Sequence, residues 1–262
     1  MEKVKVFLSD PQILFREGIH FILSGEEDFE VTGETTSNEE AFTLIEANPP
    51  NVAVLSLQDK KSTGTEIARR IKRSQPSAAI ILTMEKKDDE TVFEAIKSGA
   101  SACLTKDSDP EQLLDIIRVV SQGSVPIIEE LITPEVAAMA QAEFDNLSAL
   151  NEHMENLLAR LTQKETQVLG SLAAGSNLEQ AATKLGVNEE AVRHHLRVIW
   201  NKLVTNDQAQ MVIEAAQRSL PAIIRPPLKK GGKPVDYVTR AEFNELKQTL
   251  LDRIDSLKKK PA

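Results

Sequence analysis

The chain has 262 residues, 41% of them hydrophobic. No apolar run approaches the ~18 residues that span a bilayer, so a membrane protein is not expected, and the length suits two modest domains. The single cysteine, Cys103, excludes an internal disulfide framework and fits a reducing cytoplasm, and no Cys/His spacing suggests zinc. The opening MEKVKVFLSDPQ lacks the apolar core of a signal peptide.

The net charge of −9 is unevenly spread. Residues 1–128 carry 14 Lys+Arg against 22 Asp+Glu, and residues 129–160 carry 1 against 7. Residues 161–225 carry 7 against 6, and residues 226–262 carry 9 against 5. An acidic front and a mildly basic back imply separate modules.

In the first 123 residues, short apolar runs alternate with amphipathic stretches. Strands are expected at 4–8, 29–32, 52–57, 79–83 and 102–105, and helices at about 15–24, 38–48, 64–74, 88–98 and 109–122. Gly99 and Gly123 stand where helices should stop. That alternation predicts an α/β domain with a parallel sheet covered on both faces. Ligands of such sheets gather beyond the carboxyl ends of the strands, where PNVAVLSLQDKKSTG (50–64) places Ser56.

Residues 129–160 are expected to form a helical linker, with Pro134 in the first turn. Leu147, Leu150, Met154, Leu157 and Leu161 recur at heptad-like steps, extended less cleanly back through Ala140 and Val136. They predict either a dimerisation seam or a helix lying on its own domains. Residues 161–220 are helical in pattern, broken at AAGSN and KLGVN, and RPPLKKGGKP marks 221–238 as a linker. Residues 239–262 predict a last amphipathic, coiled-coil-like helix, with Thr239 and Glu242 at capping-box spacing. Its stripe is Phe243, Leu246, Leu250, Ile254 and Leu257, suited to oligomerisation or to packing back on the chain.

The segments VFLSDPQILFREG, PNVAVLSLQDKKSTG, IILTM and SGASACLTKD, in that order, resemble the flavodoxin-like receiver domain of two-component response regulators. The resemblance implies aspartyl phosphorylation: an aspartate ending the third strand, an acidic pair that helps to hold magnesium, and a Thr/Ser and a Lys that bind phosphoryl oxygens. Thr83 and Lys106 match. Ser56 stands in place of the phosphoaccepting aspartate, and of the acidic pair Asp10 remains beside Pro11. Lys60 replaces a usual proline, and Cys103 a frequent aromatic residue.

Magnesium is bound chiefly through carboxylates and substrate phosphate, so one carboxylate beside Lys106 predicts no useful metal affinity. A serine hydroxyl without a general base is a poor substitute nucleophile. The expectation is a degenerate receiver at 1–128 that aspartyl phosphate does not switch, with Asp59 a solvated loop carboxylate. Lys106 either pairs with Asp10 to mimic a fixed state or only neutralises it, and a small anion near Ser56, Thr83 and Lys106 is an open alternative.

LTQKETQVLGSLAAGSNLEQAATKLGVNEEAVRHHLRVIWNKL resembles the LuxR/NarL-type helix-turn-helix, with Thr162 and Glu165 at capping-box spacing and Asn188 capping the recognition helix. Val192, Leu196, Ile199 and Leu203 make the core stripe. The resemblance places Arg193, His194 and Arg197 where the family contacts bases or nearby phosphates, and makes His195 and Lys202 candidates for phosphate contacts. Against this, Glu189 and Glu190 bring negative charge to the start of that helix. Trp200 is expected in the core.

The function expected is a cytoplasmic, DNA-binding transcription regulator, homodimeric or of higher order, with double-stranded DNA as partner, a protein partner open at the receiver, and no cofactor. The alternative is a protein–protein adaptor whose helix-turn-helix no longer reads DNA. No Gly-rich phosphate loop or nucleophile–base pair suggests an enzyme.

Overall fold

The computed structural model describes residues 3–59, 62–149 and 158–219. The front domain is a five-stranded parallel sheet in the order β2-β1-β3-β4-β5, built from β1 (Val4–Ser9), β2 (Phe29–Thr35), β3 (Val52–Ser56), β4 (Ala79–Met84) and β5 (Ala102–Thr105). The helices between and after the strands are α1 (Ile13–Ser24), α2 (Asn38–Ala47), α3 (Gly64–Ser74), α4 (Asp89–Lys97) and α5 (Pro110–Ser121). This is the flavodoxin-like arrangement expected.

Strand periodicity sorts the core into two layers. Val6, Leu8, Val54 and Ile81 meet Ile19 and Leu23 of α1 and Leu113 and Ile117 of α5. Phe7, Ala53, Leu55, Ile80 and Leu82 face the other way, against α2, α3 and α4. β3 and β4 are buried along their whole length, which is why their sequences are unbroken apolar runs. β2 runs past its expected end to Thr35, because a register shift between Val6 and Phe7 lets Phe7, Leu8 and Ser9 pair with Gly33, Glu34 and Thr35.

Helix starts follow local chemistry. Thr63 and Glu66 form a capping box on α3, and Asp109 caps α5 ahead of Pro110. Gly64 is required by close approach: a Cβ there would lie 2.5 Å from the Ser56 carbonyl oxygen and 2.9 Å from Leu57 Cα. Larger residues would push α3 off the end of β3.

A short 3-10 segment, Pro126–Ile132, leads to α6 (Pro134–Ala149). Val136, Ala137, Ala140 and Phe144 of α6 share one apolar core with Val92 and Ile96 of α4 and with the helices that follow. Val136, Ala140 and Leu147 are therefore covered within the chain, and Leu161 lies outside any helix. Within the chain, this part of the stripe lies on its own domains. Leu150, Met154 and Leu157 lie outside the described residues, as do the linker at 221–238 and the helix at 239–262.

The rear helices are α7 (Gln163–Ala173), α8 (Leu178–Leu185) and α9 (Glu189–Ser219). Thr162 and Glu165 form the expected capping box, Gly186 ends α8 at φ 65°, and the Asn188 side chain accepts from the Ala191 amide at 2.8 Å. Among the described residues no helix is long and apolar enough to cross a membrane.

Candidate functional site

The carboxyl ends of the strands bring Asp10, Ser56, Thr83 and Lys106 to one edge of the sheet, with Pro11 exposed beside Asp10. Asp10 is 3% exposed. The Lys106 ammonium lies 2.8 Å from Asp10 Oδ2 and donates to Oδ1 at 3.0 Å. The Gln12 amide donates to the same Oδ1 at 2.7 Å, and Arg16 Nη1 donates to the Asp10 carbonyl at 3.1 Å. Glu85 lies 3.5 Å from Lys106 and accepts from Gln12 Nε2 at 2.7 Å. A buried charge costs several kcal/mol unless paired, and each partner here compensates the other.

Ser56 is fully buried and pairs in register with Thr83. Its hydroxyl donates to the Gln58 carbonyl at 3.3 Å, while that of Thr83 donates to the Leu55 carbonyl at 3.4 Å. The loop after β3 is pinned by Asn38, which the sequence did not single out. Asn38 Nδ2 donates to the Ser56 and Ser62 carbonyls at 2.8 and 3.1 Å, and Oδ1 accepts from Ser9 Oγ at 2.8 Å. Its backbone amide donates to Asp59 Oδ2 at 2.7 Å. Asp59 is thus an acceptor at the start of α2, which corrects the expectation of a solvated loop carboxylate: the first amides of a helix need acceptors. Lys60 lies outside the described residues.

The residues present do not fit magnesium. Asp10 faces Lys106 with both oxygens, and Ser56 supplies a hydroxyl already used within the loop. Behind this edge, burial, with the Glu130 carboxylate adding to it, pushes the Cys103 thiol up to about 12.

In the rear domain, Val192, Leu196, Ile199 and Leu203 of α9 pack against Val168, Leu169 and Leu172 of α7, with Trp200 at the margin of that core. His194 and Arg197 are exposed, while Arg193 and His195 are half-buried. The two imidazoles stand 6.1 Å apart in an edge arrangement. The Arg193 guanidinium pairs with Glu129 of the 3-10 segment.

Lys202 has partners within the chain. Its ammonium lies 2.6 Å from Glu165 Oε2 and donates to the Arg160 carbonyl at 2.8 Å. Glu165 is 4% exposed and needs that cation. Burial alone would raise its carboxyl, but Lys202 and the Thr162 amide hold it below the usual range. Helical spacing gives the face of Lys202 but not this partner.

α9 also rests on the front domain. Arg69 of α3 donates to Asp207 from Nε at 2.7 Å and from Nη2 at 3.0 Å, and to Glu94 at 2.8 Å. Both Arg69 and Asp207 are nearly buried, at 13% and 8% side-chain exposure. Lys97 pairs with Glu143 of α6 at 3.2 Å, and Lys87 pairs with Glu130 at 2.5 Å.

Residues 6–118 match the response regulator receiver domain, and residues 159–215 match the LuxR family of bacterial regulatory proteins. The uncharacterized transcriptional regulatory protein YxjL of Bacillus subtilis is 31% identical over 219 residues, which cover 84% of this chain and 98% of that protein. The chain belongs to the LuxR-type response regulators. The nitrate/nitrite response regulator protein homolog of Haemophilus influenzae is 28% identical over 202 residues, covering 77% of this chain and 91% of its own. A two-component response regulator of the LuxR family from an Aurantimonas species, among solved structures, is 25% identical at a TM-score of 0.47, covering 53% of this chain and 98% of its own. As a LuxR-type response regulator, the chain is a transcription regulator with a receiver and a DNA-binding domain.

Proposed function

We propose that this response regulator reads double-stranded DNA sequence-specifically through α9 and acts without aspartyl phosphorylation, in the cytoplasm, as a homodimer or higher homo-oligomer. The observation that carries the second part is the ion pair between Asp10 and Lys106 beside a sealed Ser56. An acceptor and a magnesium site both need free carboxylate oxygen, whereas both oxygens of Asp10 face the Lys106 ammonium. Arg193, His194 and Arg197 support the first part, as arginine suits bidentate contact with guanine. His195 stands beside them for a phosphate. In the arrangement described, DNA must displace Glu129 from Arg193, so binding exchanges one carboxylate for a base or phosphate.

A receiver not read through phosphate serves instead as a docking surface for a protein partner. Leu14 and Phe21 of α1, 88% and 81% exposed, support that role. The second reading is an adaptor that does not read DNA, favoured by the pairing of Arg193 with Glu129 and by Glu189 and Glu190 at the start of α9. Genomic DNA pull-down by the full chain separates the two. Regulator function predicts enriched sequences that Arg193→Ala/Arg197→Ala abolishes; no enrichment, with residual DNA affinity unchanged in that variant, favours the adaptor.

A further inference from the structure

The first turn of α9 carries Glu189 and Glu190, both exposed, and neither forms an ion pair among the described residues. A carboxylate near a helix N-terminus is favourable, so one of them needs no further role than to complement the helix dipole. Their positions nevertheless differ. At about 100° per residue, Glu190 lies about 20° from Arg197 and about 40° from His194 around the axis, while Glu189 lies about 80° and 140° from them. Glu190 therefore shares the outward face of the DNA-reading side chains, and Glu189 sits at its margin. Arg193, one turn from both, is held by Glu129.

A carboxylate on the face turned to DNA is repelled by phosphate, which weakens binding of every sequence equally. A base edge with an amino donor in the major groove repays that cost, and cytosine offers one without the acceptor N7 that stands beside the adenine N6 amino group. Cytosine presents an N4 amino donor and carboxylates accept from it, whereas guanine presents only acceptors there and rejects a carboxylate. Resting on the DNA-binding function proposed above, we propose that Glu190 determines base specificity by accepting from a cytosine amino group. Arg197 reads a guanine nearby on the same half-site. Seven residues separate them, about 10 Å along the axis, so the two bases fall within about three base-pair steps.

The test is selection from random double-stranded DNA at fixed salt, using the full chain as wild type, Glu190→Ala, Glu190→Gln and Glu189→Gln. Each is also prepared with Glu129→Gln, so that Arg193 is free. The enriched site is expected to hold one cytosine whose preference over other bases, about tenfold, disappears in Glu190→Ala. In Glu190→Gln the preference moves to adenine, which a carboxamide reads through N6 and N7. Glu189→Gln leaves the site unchanged. An enriched wild-type site that Glu190→Ala leaves unaltered at every position overturns the assignment to Glu190. Absence of any enriched site, with or without Glu129→Gln, instead overturns the DNA-binding reading beneath it.

Discussion

The sheet edge and the outward face of α9 both carry charged side chains, and those charges stand in opposite states. At the sheet edge Lys106 and Asp10 are nearly buried and neutralise each other, and the Ser56 and Thr83 hydroxyls both donate to backbone carbonyls. On α9, Arg197 and His194 remain open to solvent, and Arg193 is held by one surface carboxylate. A charge buried against its partner is part of the framework, whereas a charge left open is available to a ligand. The difference separates Lys202, spent on Glu165, from Arg197 on the same helix.

The largest expected effect is at the buried pair. Lys106→Met leaves Asp10 uncompensated and should cost about 3–5 kcal/mol in denaturant unfolding. Asp10→Asn/Lys106→Met should recover much of that loss, since neither buried charge remains. Unfolding of Lys106→Met at the wild-type midpoint would place the pair among surface contacts.

Across the comparison, Arg197→Ala should weaken binding to an enriched site by about tenfold or more without changing stability. Lys202→Met should do the reverse: it strips the buried Glu165 of its cation and lowers the unfolding midpoint, while the salt dependence of DNA binding stays as in wild type. A fall in DNA affinity for Lys202→Met at unchanged stability would return that residue to the DNA-contacting set.

Between the two regions, Arg69→Ala should weaken the seating of α9 by about 1–3 kcal/mol, the scale of a charged hydrogen bond lost at a nearly buried site. Because the same helix carries Arg193, DNA affinity should rise in that variant. The exchanged pair Arg69→Asp/Asp207→Arg should bring affinity back down. The smallest effect is chemical: with its thiol at about 12, Cys103 should resist alkylation at pH 8 until the front domain opens. Rapid labelling of the folded protein would contradict that burial.

Much of this was legible in the sequence because it is written locally. Unbroken apolar runs announced β3 and β4, Thr162 and Glu165 announced the start of α7 by spacing, and the family resemblance placed Asn188 at the start of α9. β2 was cut short because its second half is a mixed edge strand, whose pairing depends on a register shift in the ladder rather than on its own pattern. Partners distant in sequence were not legible. Asp207 lies 138 residues from Arg69, and no periodicity joins them. Asn38 is a polar residue in a first turn until the fold places Ser9, Ser56 and Asp59 around it. The stripe through Val136 and Ala140 was correctly apolar, but a stripe does not say whether its cover comes from the same chain.

We propose that the receiver edge has exchanged phosphoryl chemistry for a fixed ion pair. Intact-mass measurement of the full chain after incubation with acetyl phosphate and magnesium tests it most directly. Mass and DNA affinity should both stay unchanged. A phosphoryl adduct on Ser56 or Asp59, with a shift in DNA affinity that follows its formation, would contradict it.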